Sequence, residues 1–134
     1  VFALLNQIVP PGDSVPAASA DTGVRQAGRV VAVLLQFAEK NPGMARVMVG
    51  DALVFENERL QQRMNQFFDR VESTLRQCLR AAAQSAGSDT PTMDAQVRAA
   101  VLTAFVMGRL QRFTRSGFRR VPSEHLDASL ALML

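Results

Sequence analysis

Tryptophan and tyrosine are absent from this 134-residue chain, and cysteine and histidine occur once each. Each shortage removes a class of explanation. A single thiol, Cys78, forms no intrachain disulfide, excludes a Cys-rich zinc site and fits a reducing compartment such as the cytoplasm. His125 is the only imidazole, and no cysteine or patterned carboxylate stands near it in sequence. It reads as an exposed residue in the first turn of the last helix. Cys78 reads as a buried, inert thiol on an apolar stripe. No apolar run approaches the roughly 18–20 residues of a membrane span, and the longest, Val30–Leu35, is a fragment of a core helix. No phosphate-binding glycine loop, nucleophile elbow, metal-ligand spacing or signal peptide is visible. Catalytic residues, metal and cofactor are therefore all expected to be none, and the protein is expected not to be an enzyme.

What is present is enough apolar material for one domain with a real core: 48% hydrophobic and 20% charged residues, with a net charge of +3. That balance excludes a disordered or collagen-like chain. Lys40 is the sole lysine, so the high sequence pI of about 10.4 reflects arginine usage and not a strong positive field. The chain opens at Val1 without a methionine, in what reads as the middle of a helix, and is expected to be part of a longer protein.

The hydrophobic periodicity predicts helices throughout and no strand. Val1–Val9 reads as the tail of one helix, closed by Pro10-Pro11-Gly12. Asp21 or Thr22 is expected to cap the next, which carries Val24, Val31, Leu34, Leu35 and Ala38 as far as Lys40. Asn41-Pro42-Gly43 should stop it, because proline disfavours the helical conformation at the preceding residue. A short helix over Met44–Val49 ends at Gly50. A long one is expected from Asp51 to about Gln84. There Leu60, Met64, Phe67, Val71, Leu75 and Cys78 recur at steps of three and four.

Thr90-Pro91 signals another start, and that helix runs to about Arg115. It carries one apolar face through Val97, Val101, Ala104 and Gly108, and others through Leu102, Phe105, Val106, Leu110 and Phe113. A helix apolar this far round needs burial on two sides. Pro122-Ser123 is expected to start the last helix, with Glu124 and Asp127 near its positive end and a face of Leu126, Leu130, Met133 and Leu134.

Two features point beyond packing. Arg109, Arg112, Arg115, Arg119 and Arg120 crowd the end of the two-faced helix. They read either as a solvated face complementing the helix dipole or as a contact for an acidic partner or DNA phosphate. Gly108 costs about 1 kcal/mol in a helix relative to alanine. It reads either as a loose core position or as a site of close helix approach across a two-fold axis.

Four blocks, Phe37–Gly43, Gly50–Glu56, Arg59–Arg70 and Gly108–Phe118, are weak singly and specific together. Through them the chain resembles the TetR-type regulators, and within that family the nucleoid-occlusion regulators. The resemblance covers most of the chain from about Val30. It implies an all-α TetR-type C-terminal domain of about five to six helices over residues 1–134, with the N-terminal helix-turn-helix absent from this chain. It also implies a homodimer through a four-helix interface built from Met93–Arg115 and Ser123–Leu134. The interface residues would be Val101, Phe105, Gly108, Arg109, Arg112, Leu126 and Leu130.

The DNA partner would be bound through the missing domain, in a cytoplasmic, nucleoid-associated protein with no membrane contact. The division protein FtsZ would be the second partner, its tail lying in a groove between the Val1–Val9 helix and the helix ending at Asn41. Carried over by position, Asn41 matches and Lys40 keeps the charge of an arginine without its planar fork. Val33 replaces a leucine, Gln36 a glycine and Leu4 an arginine. A TetR-type domain can alternatively take a small-molecule effector in a helix-lined pocket.

Overall fold

The computed structural model describes residues 20–50 and 58–134. Among them lie five helices and no strand: α1 (Ala20–Lys40), α2 (Pro42–Met48), α3 (Glu58–Ser85), α4 (Pro91–Arg115) and α5 (Leu126–Met133). The all-α expectation holds. The Val1–Val9 helix, the Pro10–Gly12 stop and the expected start of the long helix at Asp51 lie outside the described residues.

α3 is the organising element. Met64, Phe67, Val71, Leu75, Cys78, Leu79 and Ala82 form its buried stripe, which packs against α1 on one side and α4 on the other. α1 answers with Ala27, Val30, Val31, Leu34, Leu35 and Ala38, and α4 with Ala95, Ala99, Leu102, Val106, Leu110 and Phe113. The steps of three and four keep each set on one side of its helix. Leu35, Leu75, Leu79, Leu102 and Leu110 are among the largest fully buried side chains. Each such leucine contributes about 1.5–3 kcal/mol of transfer free energy.

α1 approaches α3 closely at Gly23. A Cβ there would overlap the carbonyl oxygen of Cys78 and lie 2.9 Å from Ala82 Cβ. The glycine thus lets two backbones meet. Nearby, the Cys78 thiol donates to Gln26 Oε1 at 3.8 Å. Burial pushes that thiol's pKa up, which disfavours the reactive thiolate.

The breaks obey local chemistry. Asn41 leaves the helical region at φ −132° and Pro42 opens α2 at its first turn. The Asn41 side-chain amide donates to the Phe37 carbonyl at 2.9 Å, satisfying an acceptor at the end of α1. α2 therefore starts two residues before Met44, because proline is tolerated at a helix start. Gly50, at φ 73°, closes it. α3 ends in a Schellman motif. Ser88 N–H donates to Ala83 O at 3.0 Å and Gly87 N–H, at φ 79°, to Gln84 O at 3.1 Å.

Two expected helix starts are corrected. Asp21 and Thr22 lie within α1 and do not precede it. The last helix begins at Leu126, not at Pro122-Ser123, and His125 stands before it in the left-handed region at φ 54°. The intervening residues form turns, with Glu124 N–H on Val121 O and Leu126 N–H on Ser123 O, both at 3.1 Å, and tertiary contacts hold them there. Ser123 N–H donates to Glu39 Oε1 on α1 at 2.7 Å, and Arg109 donates to the Glu124 carbonyl. The left-handed conformation at His125 interrupts the α-helical run, so α5 begins at the following residue.

Gly23→Ala is expected to lower stability by about 1–2 kcal/mol. Overpacking costs about 1–3 kcal/mol and helix propensity returns up to about 1. A thermal melt at or above the parent midpoint would contradict the close approach. Asp94 supplies a second prediction. Its carboxylate accepts from the Ser88 and Thr90 hydroxyls. First Ser88 and then Thr90 hold its pKa below the ordinary aspartate range. A pKa lowered on folding gives stability that is complete above the unfolded-state value and is lost as pH falls through the folded one. Asp94→Asn should therefore melt below the parent at neutral pH, with the gap closing in acid. Melting curves displaced equally at both pH values would refute this account.

Candidate functional site

The surface that the core leaves uncovered lies on α4 and α5. Met93, Val97 and Val101 are 60%, 55% and 47% exposed, and Ala100, Ala104 and Gly108 are exposed beside them. Val97, Val101, Ala104 and Gly108 follow at steps of four, three and four, the face opposite the buried stripe. α5 lies alongside and antiparallel. Arg109 at one end reaches the Glu124 carbonyl and, at 3.2 Å, the Ser129 hydroxyl. At the other end Arg98 Nη1 donates to the Leu134 carbonyl at 3.4 Å. Leu132 of α5 is 90% exposed. Two neighbouring helices thus present apolar side chains to solvent, which marks an interaction surface better than scattered single residues do.

The seven residues expected at the interface divide between two roles. Val101 and Gly108 are exposed, and a Cβ at Gly108 would meet no atom within 4 Å. Phe105 is half-buried beneath the Arg109 guanidinium, whose carbon lies 4.8 Å from the ring centroid. Arg112 pairs with Glu124 Oε2 at 3.4 Å, and Arg120 shares that oxygen at 3.4 Å. Arg109 and Arg112 therefore brace α4 against the turn before α5. Leu126 is buried in the protomer's own core, and Leu130 is half-buried, its Cδ1 lying 3.6 Å from where a Gly28 Cβ would be. The large apolar side chain that α5 exposes is instead Leu132. Sequence reasoning missed it because α5 is apolar nearly all round, leaving no polar face to orient it.

The α1 residues expected to meet a partner tail sit together. Val33, Gln36 and Lys40 follow at steps of three and four, with Val33 half-buried and Gln36, Lys40 and Asn41 exposed. Leu4 and the opposite wall of the expected groove lie outside the described residues. His125 is exposed as expected, but precedes the helix, with Nε2 3.8 Å from Glu124 Oε1. Among the described residues no group of three His, Cys, Asp or Glu side chains converges as a metal site. No described helix is long and apolar enough to cross a membrane. One open depression separates Phe68 and Glu72 on α3 from Ala104 and Met107 on α4. Another lies among the arginines at the end of α4.

A helical core with an uncovered apolar face on two neighbouring helices is the form of an all-α interaction domain. Residues 21–134 match the SlmA-like family described as tetracycline repressor-like, C-terminal domain, and the chain belongs to that family. Its relatives include the nucleoid occlusion factors SlmA of Vibrio atlanticus and Vibrio cholerae serotype O1. Each is 46% identical over 104 residues, covering 78% of this chain and 53% of the relative. The same factor in Photobacterium profundum is 47% identical over 98 residues, 73% of this chain and 50% of the relative. The chain spans about half the length of these curated relatives.

If this face is a close helix contact, Gly108→Arg gives a folded monomer, since the open space at Gly108 admits the side chain without disturbing the protomer. Sedimentation velocity with circular dichroism reads both properties. A helical variant that still sediments as a dimer would remove Gly108 from the interface.

Proposed function

We propose that this chain is the dimerisation and partner-binding half of a nucleoid-occlusion regulator. In this reading it forms a homodimer through the α4–α5 face and binds chromosomal DNA through a domain outside the chain. When DNA-bound, it antagonises assembly of the division protein FtsZ. It acts in the cytoplasm, on the nucleoid, as a binding protein and not an enzyme. The observation that carries the proposal is family membership over residues 21–134, joined to an apolar face that the protomer leaves uncovered. The names of the relatives, nucleoid occlusion factor SlmA, supply the biological role.

The FtsZ tail would lie on the α1 flank formed by Val33, Gln36, Lys40 and Asn41. Three exposed polar side chains beside a half-buried valine suit a peptide with both polar and apolar groups. Lys40 supplies the charge there, and Asn41 keeps its side-chain N–H on the Phe37 carbonyl, leaving its oxygen for a ligand donor.

The test is titration of an FtsZ C-terminal peptide onto the DNA-bound full-length protein, followed by fluorescence anisotropy. Saturable binding is expected, weakened about tenfold by Lys40→Glu, a loss in the range of one partly desolvated charge contact. Failure to bind, together with release of DNA by a small apolar effector, would replace this reading with that of a small-molecule-responsive repressor.

A further inference from the structure

The end of α4 and the turn after it concentrate positive charge. Arg109, Arg112, Arg115, Arg119 and Arg120 stand close in sequence, and Glu124 is the carboxylate that pairs with members of the group among the described residues. Glu124 is shared by Arg112 and Arg120, and Arg109 is held by the Glu124 carbonyl and Ser129. The guanidinium groups of Arg115 and Arg119 make no ion pair or hydrogen bond among the described residues. The crowding is felt internally: Arg109 loses proton affinity first to desolvation and then to the neighbouring Arg112.

The turn that carries these charges is tied together by its own hydrogen bonds. Phe118 N–H donates to Phe113 O at 2.9 Å and Gly117 N–H, at φ 66°, to Thr114 O at 3.2 Å, a second Schellman motif. The Phe118 ring meets Phe113 edge-on, with centroids 5.2 Å apart, the apolar contact that accompanies this motif. Ser116 Oγ accepts from the backbone N–H groups of Arg119 and Arg120 at 3.2 and 2.9 Å. The backbone is thus set before any ligand arrives, which cuts the ordering cost of binding. Beside the arginines, Phe118 and Val121 remain 39% and 46% exposed. The open depression here is lined by Gly108, Gln111, Arg112, Arg115, Ser116 and Arg120.

We infer that this turn is a docking surface for an acidic peptide segment of a partner protein. Its carboxylates seat on Arg115 and Arg119, with Arg120 beside them, and an apolar side chain packs on Phe118 and Val121. Guanidinium groups match carboxylates with two parallel hydrogen bonds, which a lysine cannot offer. Duplex DNA would satisfy the charges but has no complement for the two apolar side chains. A single strand needs a row of stacking aromatics, and this turn offers Phe118 alone. The surface is separate from the α1 flank, and the inference stands without the proposed role in division.

The probe is a fluorescein-labelled peptide rich in Asp and Glu around a central Leu-Phe pair, titrated at low salt and read by anisotropy. Saturable binding is expected, weakened about tenfold by Arg115→Glu/Arg119→Glu, as reversal of two surface charges predicts. Arg76→Glu/Arg80→Glu, the same charge change on the exposed side of α3, should leave it unchanged. Replacing Leu-Phe by Ser-Ser in the peptide, or Val121 by Ser in the protein, should weaken it severalfold. Equal losses in the two double variants, or equal binding of the Ser-Ser peptide, would overturn the inference. So would tighter binding of a DNA duplex, or of anionic phospholipid vesicles, through the same arginines. Circular dichroism checks each variant, and Arg119→Glu alone provides the same reading if the double variant does not fold.

Discussion

Burial of the α3 stripe from Met64 to Ala82 is the interaction on which the other helices depend. α3 spends one flank on α1 and the other on α4. This sandwiching uses the buried side of both neighbours at once. It requires a backbone approach at Gly23, where any larger residue would collide with Cys78 and Ala82. Dispersion and hydrophobic burial fall off within about an ångström of ideal contact. One glycine therefore sets how fully the leucines of α1 and α3 can interlock.

The same geometry explains why the α4 surface exists. α4 has apolar residues round more of its circumference than α3 can cover. Leu102, Val106, Leu110 and Phe113 go inward, which turns Val97, Val101, Ala104 and Gly108 to solvent by helical periodicity alone. α5 is too short to hide that face. It is held at the edge of α4 by Arg109, Arg112 and Glu124 at one end and Arg98 at the other. Leu132 then adds to the uncovered surface instead of covering it. The arginines that look on paper like one uniform charge run divide into struts and heads without a partner among the described residues. Arg109 and Arg112 hold α5, whereas Arg115 and Arg119 belong to the second group.

In the proposed reading the chain both self-associates and meets partner proteins. The apolar α4–α5 face suits self-association, since identical apolar surfaces need no charge matching across a two-fold axis. The polar flank of α1 lies elsewhere on the fold, whereas the basic turn after α4 adjoins that face and shares Gly108 and Arg112 with it. Cys78 is buried, which raises its thiol's pKa, and His125 is exposed beside Glu124.

Much of this was readable along the chain. Helical periodicity placed the buried stripes of α1, α3 and α4, because burial of one face at a time leaves a regular step of three and four. Asn41-Pro42, Gly50 and Thr90-Pro91 marked breaks, because proline and glycine act on their own backbone whatever surrounds them. Less was readable where a residue's partner lies far away in sequence. The start of α5 moved to Leu126 because His125 takes the left-handed conformation, in a turn that Glu39 and Arg109 hold through Ser123 and Glu124. Leu126 and Leu130 turned inward and Leu132 outward because α1 and α4 fix the rotation of a helix that is apolar nearly all round. The sequence by itself determined which segments are helical and which family they form, since both rest on local chemistry and residue order. Only the tertiary structure decided which apolar face is left uncovered and which arginines brace α5, because both depend on contacts between helices distant in the chain.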